Sequence, residues 1–313
     1  MRHLKTFSLF ESAQELSEDQ IYFLNRSTQG LGSWSINPTT GLVDINGDFD
    51  GAVKGLKDFK GIRFGEVTGF FDCSTNNLES LEGAPETVGG DFDCSENLLQ
   101  NLKGAPKTVG GDFECDKNSL QSLEGAPETV GENFQCYDNS LQNLKGAPKT
   151  VGGSFDCSHN SLQTLEGAPK TVGGFNCSHN SLQTLEGSPQ IVGRFFDCSY
   201  NHLQTLEGAP EKVGGWFSSD DVYIKEGNWT VPSLAKEYLE SGGKEKDLLG
   251  TLKTLISPEA LQKEIDENPE KMSVELTGNL KGLLELPEYQ SLKFPTRLQK
   301  EVGLLRDLSG VGL

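Results

Sequence analysis

Positive charge is what this chain most conspicuously lacks: 27 Lys and Arg stand against 46 Asp and Glu in 313 residues, a net charge of −19. Nucleic acid and anionic membranes would repel such a surface at long range, so direct binding to either is not expected and basic partners are favoured. No stretch reaches the roughly 18 apolar residues of a membrane span, and the start, MRHLKTFSLF, has no uninterrupted apolar core of the kind a secretory signal needs. Apolar residues are only 35% of the chain. That is low for a compact globule but enough for a solenoid, which exposes surface along its whole length. Disulfide and metal spacings are also missing. The seven cysteines lie at 73, 94, 115, 136, 157, 177 and 198, an odd set at steps of 20 or 21 that fits neither a paired framework nor a CxxC site. They are expected to be reduced and buried in an intracellular protein without metal or cofactor.

What the chain has instead is repetition. Phe71, Phe92, Phe113, Phe134, Phe155, Phe175, Phe196 and Phe217 recur every 21 residues, with a single step of 20. From each Phe, Cys follows at +2, Asn at +5, Leu at +7 and +10, Pro at +14 and Val at +17 in most copies. Fixed-period self-similarity of this length points to a stacked repeat architecture. A strand alternates its side chains, so Phe and Cys face inward and the residue between them faces out. The Asn residues, 76, 97, 118, 139, 160, 180 and 201, form a ladder that satisfies backbone groups where the chain leaves the strand. GLVDINGDFDGAVKGLKDF is a degenerate first copy, with Leu56 and Phe59 at +7 and +10 from Phe49, and GGWFSSDDVYI begins a last strand before the pattern ends.

The motif F-x-C-x-x-N-x-L-x-x-L resembles the leucine-rich repeat, with Phe and Cys at two of its Leu positions. The resemblance implies an α/β solenoid whose short parallel strands line a concave sheet, with GAPKT on the return path. It gives three regions: an N-terminal helical or leader segment at 1–30, the solenoid with its caps at 31–227, and a small all-helical C-terminal domain at 228–313. The last reading rests on helix signals such as SPEALQKEIDENP, where Ser caps and Pro takes the first helical position. Residues 228–313 hold no Cys and no His, so the cysteine-based ubiquitin-ligase chemistry found behind some bacterial leucine-rich repeats is excluded there. No enzyme activity is expected. The VGG pairs lack the G-K-[ST] ending of a phosphate loop and read as turn glycines, and His159 and His179 read as exposed turn residues copied by duplication.

Two charge patterns separate a structural face from a candidate docking face. On the back, Glu82, Lys103, Glu124 and Lys145 alternate in sign, as do Glu86, Lys107, Glu128 and Lys149, so each charge meets its opposite in the next turn. The outward strand positions carry no Lys or Arg. Two carboxylates about 5 Å apart in water repel by roughly 0.8 kcal/mol, and here several neighbours add. The docking residues expected on this basis are Asp72, Asp91, Asp93, Asp112, Glu114, Asp116, Tyr137, Asp156, Phe195, Asp197 and Trp216. The outward aromatics add anchors of the kind that interfaces favour. The partner is then a protein with a basic surface.

The first residues carry a further resemblance. Leu9-Phe10-Glu11-Ser12 is similar to the cleavage site of prohead proteases of large tailed bacteriophages, with Glu11 and Ser12 flanking the cut. The LEGAP…VGG…FDCS wording resembles leucine-rich-repeat proteins of such phages. This implies a phage protein in the bacterial host cytoplasm, or packaged in the virion, acting on a host or virion protein. Two alternatives stay open: a nucleic-acid mimic that occupies a DNA-binding defence protein, and a structural internal virion protein.

Overall fold

The computed structural model describes residues 15–203, 208–210, 212–219 and 223–224, together with 262, 266 and 293. The expected cleavage pair Glu11 and Ser12 and almost all of the expected helical region 228–313 lie outside the described residues. The chain divides into two compact units, Met1–Leu162 with Gly167–Gly173, and Gln163–Glu166 with Gly174–Leu313.

The first unit opens with α1 (Glu18–Ser27), whose start is fixed by a capping box: Ser17 accepts from the Gln20 backbone while the Gln20 side chain accepts from Ser17. Phe23 and Leu24 are the buried side of this helix, and Phe23 meets Phe49 edge-on with ring centroids 5.7 Å apart. The helix thereby covers the first turn of the solenoid, where an open stack would expose its core. A hairpin of β1 (Gly32–Ile36) and β2 (Val43–Gly47) follows, burying Val43 and Ile45.

From Phe49 onward each turn contributes one short front strand. Phe49–Asp50, Phe71–Asp72, Phe92–Asp93, Phe113–Glu114, Phe134–Gln135 and Ser154–Asp156 pair in parallel, Phe beside Phe in register. A second strand lies on the return path: Thr87–Val88, Thr108–Val109, Thr129–Val130 and Thr150–Val151, also parallel, and joined through Phe64–Val67 to β2. Their Thr faces solvent and their Val is buried. Between residues 64 and 203 the backbone consists of such strands of two to four residues linked by turns. This is the leucine-rich-repeat solenoid expected from the motif, with a two-residue strand across the back of each turn.

The second unit repeats the plan. Gly174–Asn176, Phe196–Asp197 and Phe217–Ser218 pair in parallel, and Ile191–Val192 pairs with Lys212–Val213 behind them. Tyr223–Ile224 then turns back antiparallel on Phe217–Ser218.

The core follows from the period. The Phe of every front strand is fully buried, as are the Cys at +2 and the Leu at +7 and +10 of the copies from Leu78 to Leu185, while Leu203 is half-buried. Identical positions stack, so the Phe rings lie nearly parallel with centroids 4.6 to 5.7 Å apart from Phe49 to Phe134. Burying each ring is worth about 1.5–3 kcal/mol, and offset stacking adds about 0.5–1.5 kcal/mol per pair. The degenerate first copy is part of this core, since Leu56 and Phe59 are buried at the expected offsets.

Asparagine joins the turns. Asn97 Nδ2 donates to the carbonyl oxygens of Cys73, Cys94 and Ser95, and its Oδ1 accepts from the Leu78 N–H at 2.9 Å. Asn118, Asn139 and Asn160 repeat the same four bonds. Glycine is required where turns touch. A Cβ on Gly110 would strike the Gly89 carbonyl of the turn before, and Gly104, at φ +93°, would place one 2.6 Å from the Leu81 carbonyl carbon. The first glycine of VGG therefore marks close backbone approach as well as a turn.

Candidate docking face

The outward positions of the first unit fall into three columns. The column before Phe runs Asp91, Asp112, Asn133. Each lends a side-chain oxygen to the backbone N–H of the next turn: Asp91 to Asp112 at 2.8 Å, Asp112 to Asn133 at 2.7 Å, and Asn133 to Ser154 at 2.8 Å. A short acid or amide there bridges successive turns.

The column after Phe shows why its residue is so often aspartate. Asp72 Oδ1 accepts from the Ser74 N–H at 2.9 Å and from its hydroxyl at 2.7 Å. Asp93 accepts from the Ser95 N–H at 2.8 Å, and Asp156 from Ser158 N–H at 2.9 Å and hydroxyl at 2.6 Å. These are turns closed by a side chain onto the backbone two residues on, which Asp and Asn make and longer side chains do not. In the second unit Asn176 does the same for Ser178, and Asp197 for Ser199. The acidity of this column thus has a conformational cause, and charge is its by-product at most turns.

Glu114 breaks the pattern. Its extra methylene carries the carboxyl past the local turn, and it accepts instead from Gln135 Nε2 across the sheet at 2.9 Å. Burial raises its carboxyl, and Asp93, Asp116, Asp112 and Asp91 add to the effect, to about 7. Burial likewise pushes Asp93 above the ordinary carboxylate range, against the pull of its bonds from Ser95.

The third column departs from the expectation that the residue after Cys is displayed. Asp116 is only 5% exposed, and Ser74 and Ser158 are similarly covered. The chain is already turning inward here. Burial raises Asp116, and a hydrogen bond from the half-buried Tyr137 opposes the shift. The same contact, with desolvation as the larger cause, raises the Tyr137 hydroxyl. Of the expected docking residues of this unit, Asp91, Asp93, Asp112, Glu114 and Asp116 occupy the two adjacent turns around Glu114. Asp72 and Asp156 lie on other turns, each in its own Ser turn.

In the second unit Phe195 and Trp216 are half-buried and stack with centroids 5.1 Å apart at 12°. Asp197 is half-buried on the strand that follows Phe195. His179 and Tyr200 also stack, at 4.2 Å and 9°, with Tyr200 66% exposed.

One column escaped the sequence reading. The residue before each Asn, Thr75, Glu96, Lys117, Asp138, His159, His179 and Tyr200, is left-handed, with φ between 49° and 55°. In the first unit Lys117 meets Glu96 at 2.8 Å, and the His159 ring lies 4.0 Å from Asp138. Their position just ahead of Asn at the end of a strand was the available signal. The balanced back is seen directly in Lys103–Glu124 at 3.2 Å and Lys149–Glu128 at 3.5 Å. These pairs are well exposed and worth about 0.2–1 kcal/mol each.

No protein-family model and no curated protein matches this chain. Among solved structures, YopM from Yersinia enterocolitica WA-314 is similar, at 21% identity and a TM-score of 0.40 over 50% of this chain. The match spans 36% of that chain. Among the described residues no helix is long and apolar enough to cross a membrane.

Proposed function

We propose that this protein is a non-enzymatic interaction module that grips a basic protein surface on the acidic front face of its first unit. The observation that carries the reading is the gathering of Asp91, Asp93, Asp112 and Glu114 on two adjacent turns, with no Lys or Arg among the outward strand positions; burial first, and then the neighbouring carboxylates, raise Glu114 and Asp93. Structural hydrogen bonds account for Asp at most of these positions, but Glu114 serves no turn. The stacked Phe195 and Trp216 form a separate apolar patch of the second unit. The leader-like start and the wording of the repeat support a bacteriophage origin, with a host or virion protein as the partner and the host cytoplasm as the place of action.

Asn176 supplies the test, because it holds the same turn as aspartate without the charge. The double variant Asp93→Asn, Glu114→Gln keeps the hydrogen-bonding shapes and removes two charges. Affinity purification from phage-infected bacteria, read by mass spectrometry, should recover a basic protein whose binding weakens with salt and falls at least tenfold in the double variant, with the melting temperature not lowered. Full binding by the double variant would sink the reading.

A further inference from the structure

The hairpin of the N-terminal cap leaves a strand edge open. β1 is the last strand of its sheet and pairs only with β2. The Asp48 N–H donates to the Leu31 carbonyl and the Asn37 N–H to the Leu42 carbonyl. Antiparallel alternation then spends the backbone of residues 31, 33, 35 and 37 inside the hairpin and turns that of 32, 34 and 36 outward. The Gly32 N–H is satisfied by the Thr28 carbonyl at 3.1 Å. Among the described residues, the N–H and C=O groups of Trp34 and Ile36 and the carbonyl of Gly32 have no hydrogen-bond partner.

Nothing in the sequence guards this edge. Residues 27–43 contain no charged side chain, in a chain of which 23% is charged, and β1 itself holds neither proline nor lysine. The far end of the back sheet in the second unit is different, since its last strand carries Lys212, a charge of the kind that keeps other strands away. The same N-terminal cap also displays Ile21, Tyr22 and Leu31, all exposed. An open, uncharged edge beside exposed apolar side chains is the pattern of an interface.

We propose that the N-terminal cap is where two copies of this chain join, by antiparallel pairing of β1 with β1 of the second copy. The inference is independent of the docking reading. With Trp34 on the two-fold axis, its N–H donates to the Trp34 carbonyl of the second copy, and the Ile36 N–H donates to the Gly32 carbonyl. Each bond is returned by symmetry. Ser33 then faces Ser35 of the second copy, so no charge meets its like, and Gly32 leaves room opposite Ile36. The net charge of −19 on each copy repels at long range, and salt screens that repulsion without touching the backbone bonds. Added salt therefore favours the pair, whereas it weakens attraction to a basic partner.

The full chain tests this by ultracentrifugation. Between about 1 and about 100 μM its mass should climb from 34.0 kDa toward twice that. Raising sodium chloride from about 0.05 to about 0.5 M should tighten the association at least about threefold. The double variant Ser33→Glu, Ser35→Lys keeps the net charge and sets opposite charges across the new pair; it should associate at least as well as the native chain. Ser33→Lys, Ser35→Lys sets like charges there and should weaken association at least about fivefold, although it lowers the overall repulsion. Both substituted serines are exposed, so the fold is spared. In hydrogen exchange, the Trp34 and Ile36 amides should slow as concentration rises. A mass that stays at 34.0 kDa throughout overturns the proposal. So does a dimer in which the two double variants associate alike, or in which those amides exchange unchanged.

Discussion

Aspartate, asparagine and glutamate are three different residues on the front strands, although composition counts two of them as one charge. Asp72, Asp93 and Asp156 each close a turn onto the serine two residues later, and Asn176 does so without charge. Glu114 is one methylene too long to do this and carries a raised carboxyl instead. The sign of its effect on stability follows. Glu114 binds a proton more tightly in the fold than in the unfolded chain, where its ordinary value is 4.5. Its contribution is therefore present below about 4.5 and is lost as the pH climbs to about 7. Glu114→Gln stays neutral throughout, so its melting temperature relative to the native chain should rise between about pH 5 and 8, measured by calorimetry at constant salt. A constant difference would mean that the carboxyl titrates normally.

At the scale of the single turn, two-residue strands are too short to hold by backbone pairing alone, and the asparagine ladder carries much of the connection between neighbours. Asn97 is 6% exposed and makes four hydrogen bonds, three of them to carbonyls of two different turns. Replacing it by alanine strands the Leu78 N–H and takes one of two donors from each carbonyl, which keep Asn76 Nδ2, Asn118 Nδ2 and the Thr75 N–H. A loss of about 2–4 kcal/mol in urea unfolding is expected; a cost below about 0.5 kcal/mol would show that water replaces the side chain. This element was readable from sequence, as were the Phe strands, because a strict period forces equivalent residues into equivalent surroundings. The turn made by Asp-Cys-Ser was not read that way. Its signal is local, an acid two residues before serine, and it was outweighed by the apparent repulsion of stacked charges. The left-handed column from Thr75 to Tyr200 was missed because its residue types vary while its backbone does not. The buried placing of Asp116 has a related reason: strand alternation does not hold two residues beyond the strand, which ends at Glu114.

At the scale of the whole molecule, the repeat separates work by column. Phe, Cys and Leu build the interior of both units, Asn joins turns, and the back-face charges cancel in pairs such as Lys103–Glu124. The uncancelled charge remains where the front strands face solvent, and the net charge of −19 is borne partly there. Long-range attraction to a basic partner falls with ionic strength, so the docking proposed above is a salt-sensitive one.

The reversed strand Tyr223–Ile224 has a consequence for growth. Parallel, in-register strands such as Phe196–Asp197 and Phe217–Ser218 present an edge that another identical turn could join indefinitely. An antiparallel neighbour occupies that edge with a strand of the wrong direction and sequence. Prolines at positions 223 and 224 should vacate the edge, and light scattering should then report end-to-end assembly; a variant that keeps the native mass would show that something else terminates the stack.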